Sequence, residues 1–331
     1  MNVYHAKISG TGRYLPEKTV NNFDLEKRID TSDEWIKTRT GMFERHFIAD
    51  DEAASDLAYH AGKQAIENAG LKTRDIEMII CATVTGDHPF PSTACLVQKH
   101  LGIKNNCPAF DLSAGCTGFV YASSIAKQYI ENGIYKNILV IGVEVLSRLI
   151  DWEDRSTCVL FGDGAGAVVY SRAESTDVSR FIDSEIYADG SLPELLIVKA
   201  GGSRKRPSIE TVQNKEHFIR MEGNRVFKLA VKSMYKACDV VLKRNHADVK
   251  SIDWILTHQA NMRIIASLGK KLKIDGNKVI SVIEKYANTS AASIPIALDD
   301  VMSSGKVRHG DLVLFAAFGA GLTSGSMLIR I

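Results

Sequence analysis

Cys116 follows an apolar run and a turn of mostly small residues at positions 108–115, and it stands at the head of a helix-patterned segment predicted over 117–132. A thiol at a helix N-terminus feels the partial positive charge of unpaired amide groups, which favours the thiolate that attacks carbonyl carbon. Two more side chains complete a chemical constellation. His258 closes an apolar strand predicted over 252–257, and Asn288 opens the segment Asn288-Thr289-Ser290-Ala291-Ala292-Ser293. Sulfur, imidazole and carboxamide brought to one small carbonyl would serve nucleophilic acyl transfer.

Convergence of these three depends on the elements that carry them, and the chain repeats its elements in order. A helix over 56–71 and a strand over 76–83 are answered by a helix over 225–242 and a strand over 252–257. A helix ending in Lys99-His100-Leu101-Gly102-Ile103 is matched by one ending in Lys270-Lys271-Leu272-Lys273-Ile274. Gly133 lies 17 residues after Cys116, and Gly305 lies 17 residues after Asn288, so the two fall at equivalent points. Each half closes with a strand pair, over 138–145 and 165–171, then over 312–318 and 324–330; residues 147–161 are extra in the first half. Strands alternating with helices imply sheets covered on both faces. The segment after Cys116, with Phe119, Val120, Ala122, Ile125, Ala126, Tyr129 and Ile130, has no solvated face and suits the centre of a layered αβαβα pseudo-dimer. The expected division is 1–172 and 173–331, the first half carrying the cysteine and the second the histidine and asparagine. The more polar stretch 172–221 reads as a cover over the site, centred on about 190–220.

Composition sets outer limits. The 331 residues carry a formal net charge of +2, which argues against a general nucleic-acid binder. The cysteines, at 81, 95, 107, 116, 158 and 238, form no CxxC pair and no zinc-ligand grouping, as expected of a reduced cytoplasmic protein with no metal site. No segment reads as a signal peptide or membrane span. Residues 162–167 satisfy a loose dinucleotide fingerprint, but a strand follows where a helix should begin, so a nicotinamide or flavin site is excluded. The sequon at Asn288 lacks an export context.

The segments TSDEWIKTRTG at 31–41, the Cys116 turn, FGDGAGA at 161–167, HQAN at 258–261, Asn288-Thr289-Ser290 and FGAGLT at 318–323 together resemble the β-ketoacyl-[acyl-carrier-protein] synthase III family of the thiolase fold. The resemblance covers nearly the whole chain. It implies a five-layer fold of two pseudo-symmetric halves and a cytoplasmic homodimer. It also implies an acyltransferase that condenses a short acyl-CoA, with acetyl-CoA favoured, with malonyl-[acyl-carrier protein] to start fatty acid synthesis without a cofactor. Cys116 would take the acyl group, backbone amides of Cys116 and Ala320 would hold the oxyanion, and His258 and Asn288 would donate to the enolate left by decarboxylation.

The same resemblance assigns Thr31, Trp35, Arg39, Arg155 and Asn261 to coenzyme A or its pantetheine arm. Trp35 and Arg39 are four apart on one face of a short helix, and Thr31-x-x-Glu34 reads as its capping box. Phe318 is placed beside the site, and Phe90 is expected to limit the acyl pocket across a dimer interface. An acidic carrier protein would land on Lys228, Arg263, Lys270, Lys271 and Lys273. Ser324 departs from the family, where many relatives carry tryptophan. Two other readings stand beside this one: a ketosynthase-like acyltransferase or aryl-ketone synthase of secondary metabolism, and a non-catalytic protein that binds acyl groups or a carrier protein.

Overall fold

A computed structural model describes residues 4–331. The first half runs β1 (His5–Tyr14), β2 (Lys18–Asn21), α1 (Asn22–Glu26), α2 (Asp33–Thr40), β3 (Glu44–Phe47) and α3 (Ala54–Asn68). It continues with β4 (Met78–Ala82), α4 (Thr93–His100), β5 (Ala109–Leu112), α5 (Gly118–Glu131), β6 (Asn137–Val145), α6 (Arg155–Cys158) and β7 (Asp163–Ala173). The rest comprises β8 (Arg180–Ala188), β9 (Leu196–Val198), α7 (Ile209–Gln213), β10 (Ile219–Met221), α8 (Gly223–Arg244), β11 (Trp254–Thr257) and α9 (Met262–Leu272). It ends with β12 (Val279–Ile280), α10 (Ile283–Tyr286), α11 (Ser293–Ser303), β13 (Leu312–Gly319) and β14 (Thr323–Arg330).

Two five-stranded sheets have the same order, β1-β7-β6-β4-β5 and β8-β14-β13-β11-β12. In each, a short strand (β4, β11) lies parallel between two neighbours, and the last long strand (β7, β14) returns antiparallel. Side chains alternate between faces along a strand, so continuously apolar strands such as β6 and β13 need cover on both sides. Ile138 and Val140 of β6, with Val313, Phe315 and Ala317 of β13, face a central core that also holds Phe119, Val120 and Ala122 of α5 and Ile294 and Leu298 of α11. Leu139, Ile141 and Val143 face outward onto α3 and α4, while Leu312, Leu314 and Ala316 face α8 and α9. The result is the expected helix-sheet-helix-sheet-helix stack, with α5 and α11 in the middle layer.

Three local differences from the sequence expectation matter for the site. Cys116 sits in a 3-10 turn, Gly115–Thr117, ahead of α5. Both central helices end before a glycine of positive φ, Gly133 (75°) and Gly305 (72°), but α11 has 11 residues against 14 in α5. Asn288 is therefore left in an extended loop, two residues before the 3-10 turn Ser290–Ala292. Finally, the stretch read as a cover contains a structural strand, because β8 pairs antiparallel with β14 at the edge of the second sheet. Ser324 is buried in β14, registered with Phe318 on one side and Tyr187 on the other.

Candidate active site

A cavity of about 640 Å³ has Cys116, His258, Asn288 and Phe318 on its wall, together with Trp35, Arg39, Asn261, Lys228 and Arg263. Leu196 and Met221, from the short β9–β10 pair, also line it. The cavity brings together the three side chains on which the sequence argument rested.

The nucleophile turn is fixed by close backbone approach. A Cβ on Gly319, at the end of β13, would lie 2.5 Å from the Cys116 amide nitrogen, and one on Gly115 would lie 2.9 Å from the Ala320 nitrogen. Glycine at both positions lets the two turns carrying these amides abut. Thr323 locks the join by donating its hydroxyl to the Ala114 carbonyl at 2.8 Å.

Electrostatics around the sulfur differ from the sequence expectation. Burial pushes the Cys116 thiol up to about 12; hydrogen bonds from Ser290 and its own amide oppose this, and the charge of Glu144 adds to it. Relative to an ordinary thiol near 9, that rise corresponds to about 4 kcal/mol against the thiolate. A helix end returns at most ~2 kcal/mol. Burial and the helix end thus act in opposite directions on this sulfur, which is half-buried on the cavity wall.

His258 directly follows β11, where its amide donates to the Ala316 carbonyl at 2.8 Å. Its Nδ1 lies 2.7 Å from Ser293 Oγ, and the same oxygen accepts from the Gln259 amide at 3.3 Å. Both contacts are compatible with the tautomer in which Nδ1 accepts from the Ser293 hydroxyl and Nε2 carries the ring proton. Burial pushes the imidazole down to about 3, keeping it neutral at physiological pH. Asn288 is oriented by the same logic, since its Oδ1 accepts from the Ser290 amide at 2.9 Å and leaves Nδ2 as its donor. Backbone bonds to Leu160 and from Gly162, both 3.0 Å, pin the residue in place. It lies between two non-glycine residues of positive φ, Ala287 (52°) and Ser290 (49°), a strain that persists because the surroundings fix the loop.

The other expected contacts fall in two groups. Arg155 lies over the Trp35 ring at 4.7 Å and Arg39 at 5.9 Å, so the indole is flanked by two guanidinium groups. Asn261 caps α9 through the Arg263 amide and donates to the Arg39 carbonyl at 3.0 Å, tying the two halves at the cavity wall. Arg155, Thr31, Ala320, Phe90, Lys270 and Lys271 are not on that wall. The capping-box reading of Thr31 is corrected: Ser32 is the N-cap, accepting from the Trp35 amide at 3.1 Å, so Glu34 falls one position short of the place a box requires. Thr31 Oγ1 is instead buried without a partner. Phe90 is 85% exposed on a loop of this chain. Lys228, Arg263, Lys270, Lys271 and Lys273 are all exposed, the first two at the cavity and the others toward the far end of α9. Among the described residues, no group of three His, Cys, Asp or Glu side chains is arranged to hold a metal ion.

Sequence reasoning missed Ser293 as the partner of the His258 ring.

Two duplicated α/β halves, with a cysteine turn from one facing a histidine and an asparagine from the other, define a thiolase-fold condensing acyltransferase. Family models described as 3-Oxoacyl-[acyl-carrier-protein (ACP)] synthase III and as its C terminal match residues 110–190 and 242–331. A beta-ketoacyl-[acyl-carrier-protein] synthase III of Caldanaerobacter subterraneus subsp. tengcongensis is 53% identical over 325 residues, 98% of this chain and 97% of that one. The corresponding Xylella fastidiosa protein (strain Temecula1) is 47% identical over 98% of each chain. The crystal structure of 3-oxoacyl-[acyl-carrier-protein] synthase III from Aquifex aeolicus VF5 superposes with a TM-score of 0.90 at 48% identity, covering 98% of this chain and 100% of that one. The chain belongs to the 3-oxoacyl-[acyl-carrier-protein] synthase III family.

Proposed function

We propose that this protein condenses a short acyl-CoA with malonyl-[acyl-carrier protein] by way of an acyl-Cys116 intermediate, the initiating step of fatty acid synthesis. The observation that carries the reading is the shared cavity wall of Cys116, His258 and Asn288, with the last two oriented as neutral donors. Cys116 sulfur attacks the thioester carbonyl, the amides of Cys116 and Ala320 hold the oxyanion, and coenzyme A leaves. Malonyl thioester then loses carbon dioxide; His258 Nε2 and Asn288 Nδ2 donate to the enolate oxygen while its carbon attacks the acyl group. Trp35, Arg39 and Arg155 receive the nucleotide end of coenzyme A, with Thr31 beside them and Asn261 at the pantetheine arm. Phe318 excludes water from the reacting centre. A second copy supplies Phe90 to limit the acyl pocket, which favours acetyl as primer, and the carrier protein docks on Lys228 and Arg263, with Lys270, Lys271 and Lys273 extending the positive field. The reaction as written runs through protein groups alone and takes place in the cytoplasm.

Intact-protein mass spectrometry after incubation with acetyl-CoA tests the first step. A mass gain of one acetyl group, absent in C116A, is expected; an unmodified wild-type protein would overturn the acyl-enzyme.

A further inference from the structure

We propose that Glu144 is a positioning residue for the Asn288 donor: its carboxylate ties down Ser290, and the Ser290 amide in turn aims the Asn288 carboxamide. Ser290 Oγ donates to Glu144 Oε1 at 3.0 Å, and the Ser290 amide donates to Asn288 Oδ1 at 2.9 Å. The other carboxylate oxygen, Oε2, accepts from the Thr85 hydroxyl at 2.6 Å and the Val84 amide at 3.2 Å. Thr85 Oγ1 also accepts from the Val145 amide at 2.8 Å, so this strut is anchored at its base to the end of β6 and to the segment that follows β4.

Ser290 needs holding. Its φ of 49° is left-handed, a conformation that costs a serine free energy and persists only where the surroundings enforce it. The bond to Glu144 is the contribution of its side chain to that enforcement. Gly142 and Glu144, two apart on β6, face the same side of the sheet. A Cβ at Gly142 would lie 2.3 Å from the Ala291 carbonyl, so the strand meets the 3-10 turn Ser290–Ala292 directly, and Glu144 reaches the same turn from the next position on that face. A carboxylate in a strand buried along nearly its whole length is costly unless donors surround it. An apolar residue would fill that place in β6 without the cost, but it could not hold the serine.

The tie bears on one side chain of the site more than on the others. The Asn288 backbone is pinned independently, by Leu160 and Gly162, so it stays at the cavity without Glu144. Its carboxamide is different: the bond from Ser290 is what tells its oxygen from its nitrogen, and a carboxamide turned over would present an acceptor where the enolate needs a donor. The nucleophile turn is set by Gly115, Gly319 and Thr323, and the His258 ring by Ser293. Loss of the strut should therefore fall on the decarboxylating half-reaction.

This deepens the proposed condensation and rests on it for the part Asn288 plays in turnover, but the strut can also be read without substrate. E144A should load Cys116 from acetyl-CoA within about threefold of wild type, while kcat for malonyl decarboxylation falls about tenfold or more at unchanged KM. E144Q keeps the length, with its oxygen for Val84 and Thr85 and its amide for Ser290 Oγ, and should recover most of that loss. Adding E144A to N288A should slow decarboxylation no further, since the donor it aims is already gone. If E144A fails to fold, S290A cuts the same tie from its other end and should show the same fall in decarboxylation. Crystal structures of E144A or S290A should show the Asn288 carboxamide turned away from the amide at position 290, with the backbone at 288 in place. A wild-type decarboxylation rate in folded E144A or S290A, equal losses in both half-reactions of E144A, a multiplicative loss in the double variant, or an unmoved carboxamide would overturn the strut. Decarboxylation by N288A at the wild-type rate, with the carboxamide displaced in E144A, would instead sink the proposed condensation and leave the strut standing.

Discussion

Each of the cavity's two donors owes its role to a second bond made behind it. Ser293 sets the His258 ring, and the Ser290 amide sets the Asn288 carboxamide. H258A and N288A should therefore retain acyl transfer to Cys116 while malonyl decarboxylation falls about 10²–10³-fold, the cost of removing one oxyanion donor; separate assays of the two half-reactions measure this. W35A should raise KM for acyl-CoA several-fold with little change in kcat, since it removes a stacking face and no reacting group. The residue types at 116, 258 and 288 were legible because chemistry restricts them. Ser293 was not, because a serine acquires such a role only from what folding packs against it. For the thiol, a helix start is visible in sequence, whereas the burial that opposes its effect is not.

At the scale of elements, the site depends on two glycine contacts. G319A should drive a methyl group into the Cys116 amide, 2.5 Å away, and displace the nucleophile turn from its oxyanion donors. The expected outcome is at least a 10²-fold loss of acyl-enzyme formation by rapid-quench mass spectrometry, with the fold retained by circular dichroism. G142A is its counterpart on β6, where the added carbon would lie 2.3 Å from the Ala291 carbonyl and push on the segment holding Asn288. The repeat placed the main helices and the paired strands within a few residues, since apolar periodicity reports burial directly. It failed at β8, whose burial pattern alternates between partly buried and exposed positions and so carries little apolar signal, and at the start of α11, where equal spacing to a glycine concealed a shorter helix.

Across the whole molecule, charge and pH give two further tests. K228E combined with R263E should weaken binding of an acidic carrier protein about tenfold or more, with acetyl loading from acetyl-CoA unchanged; binding measured at two salt concentrations should show the difference shrinking at high salt. His258 is lowered in the folded state from about 6.5 to about 3, so the stability it contributes is present above 6.5 and is lost as the pH falls toward 3. Glu144 has the opposite sign, its contribution being present below about 4.5 and lost as the pH rises through about 7. Urea unfolding should accordingly show H258Q losing less stability than wild type between pH 7 and 5, and E144Q gaining on wild type as the pH rises from about 4.5 to about 7.

The central core has a consequence for how the chain comes apart. Its members are drawn from both sheets and from α5 and α11 together, so neither half owns the interior that its inner sheet face needs. Two visibly duplicated halves should then melt in a single cooperative transition, and cutting the chain between residues 173 and 180 should give fragments that are sticky when separated and regain structure only on being mixed.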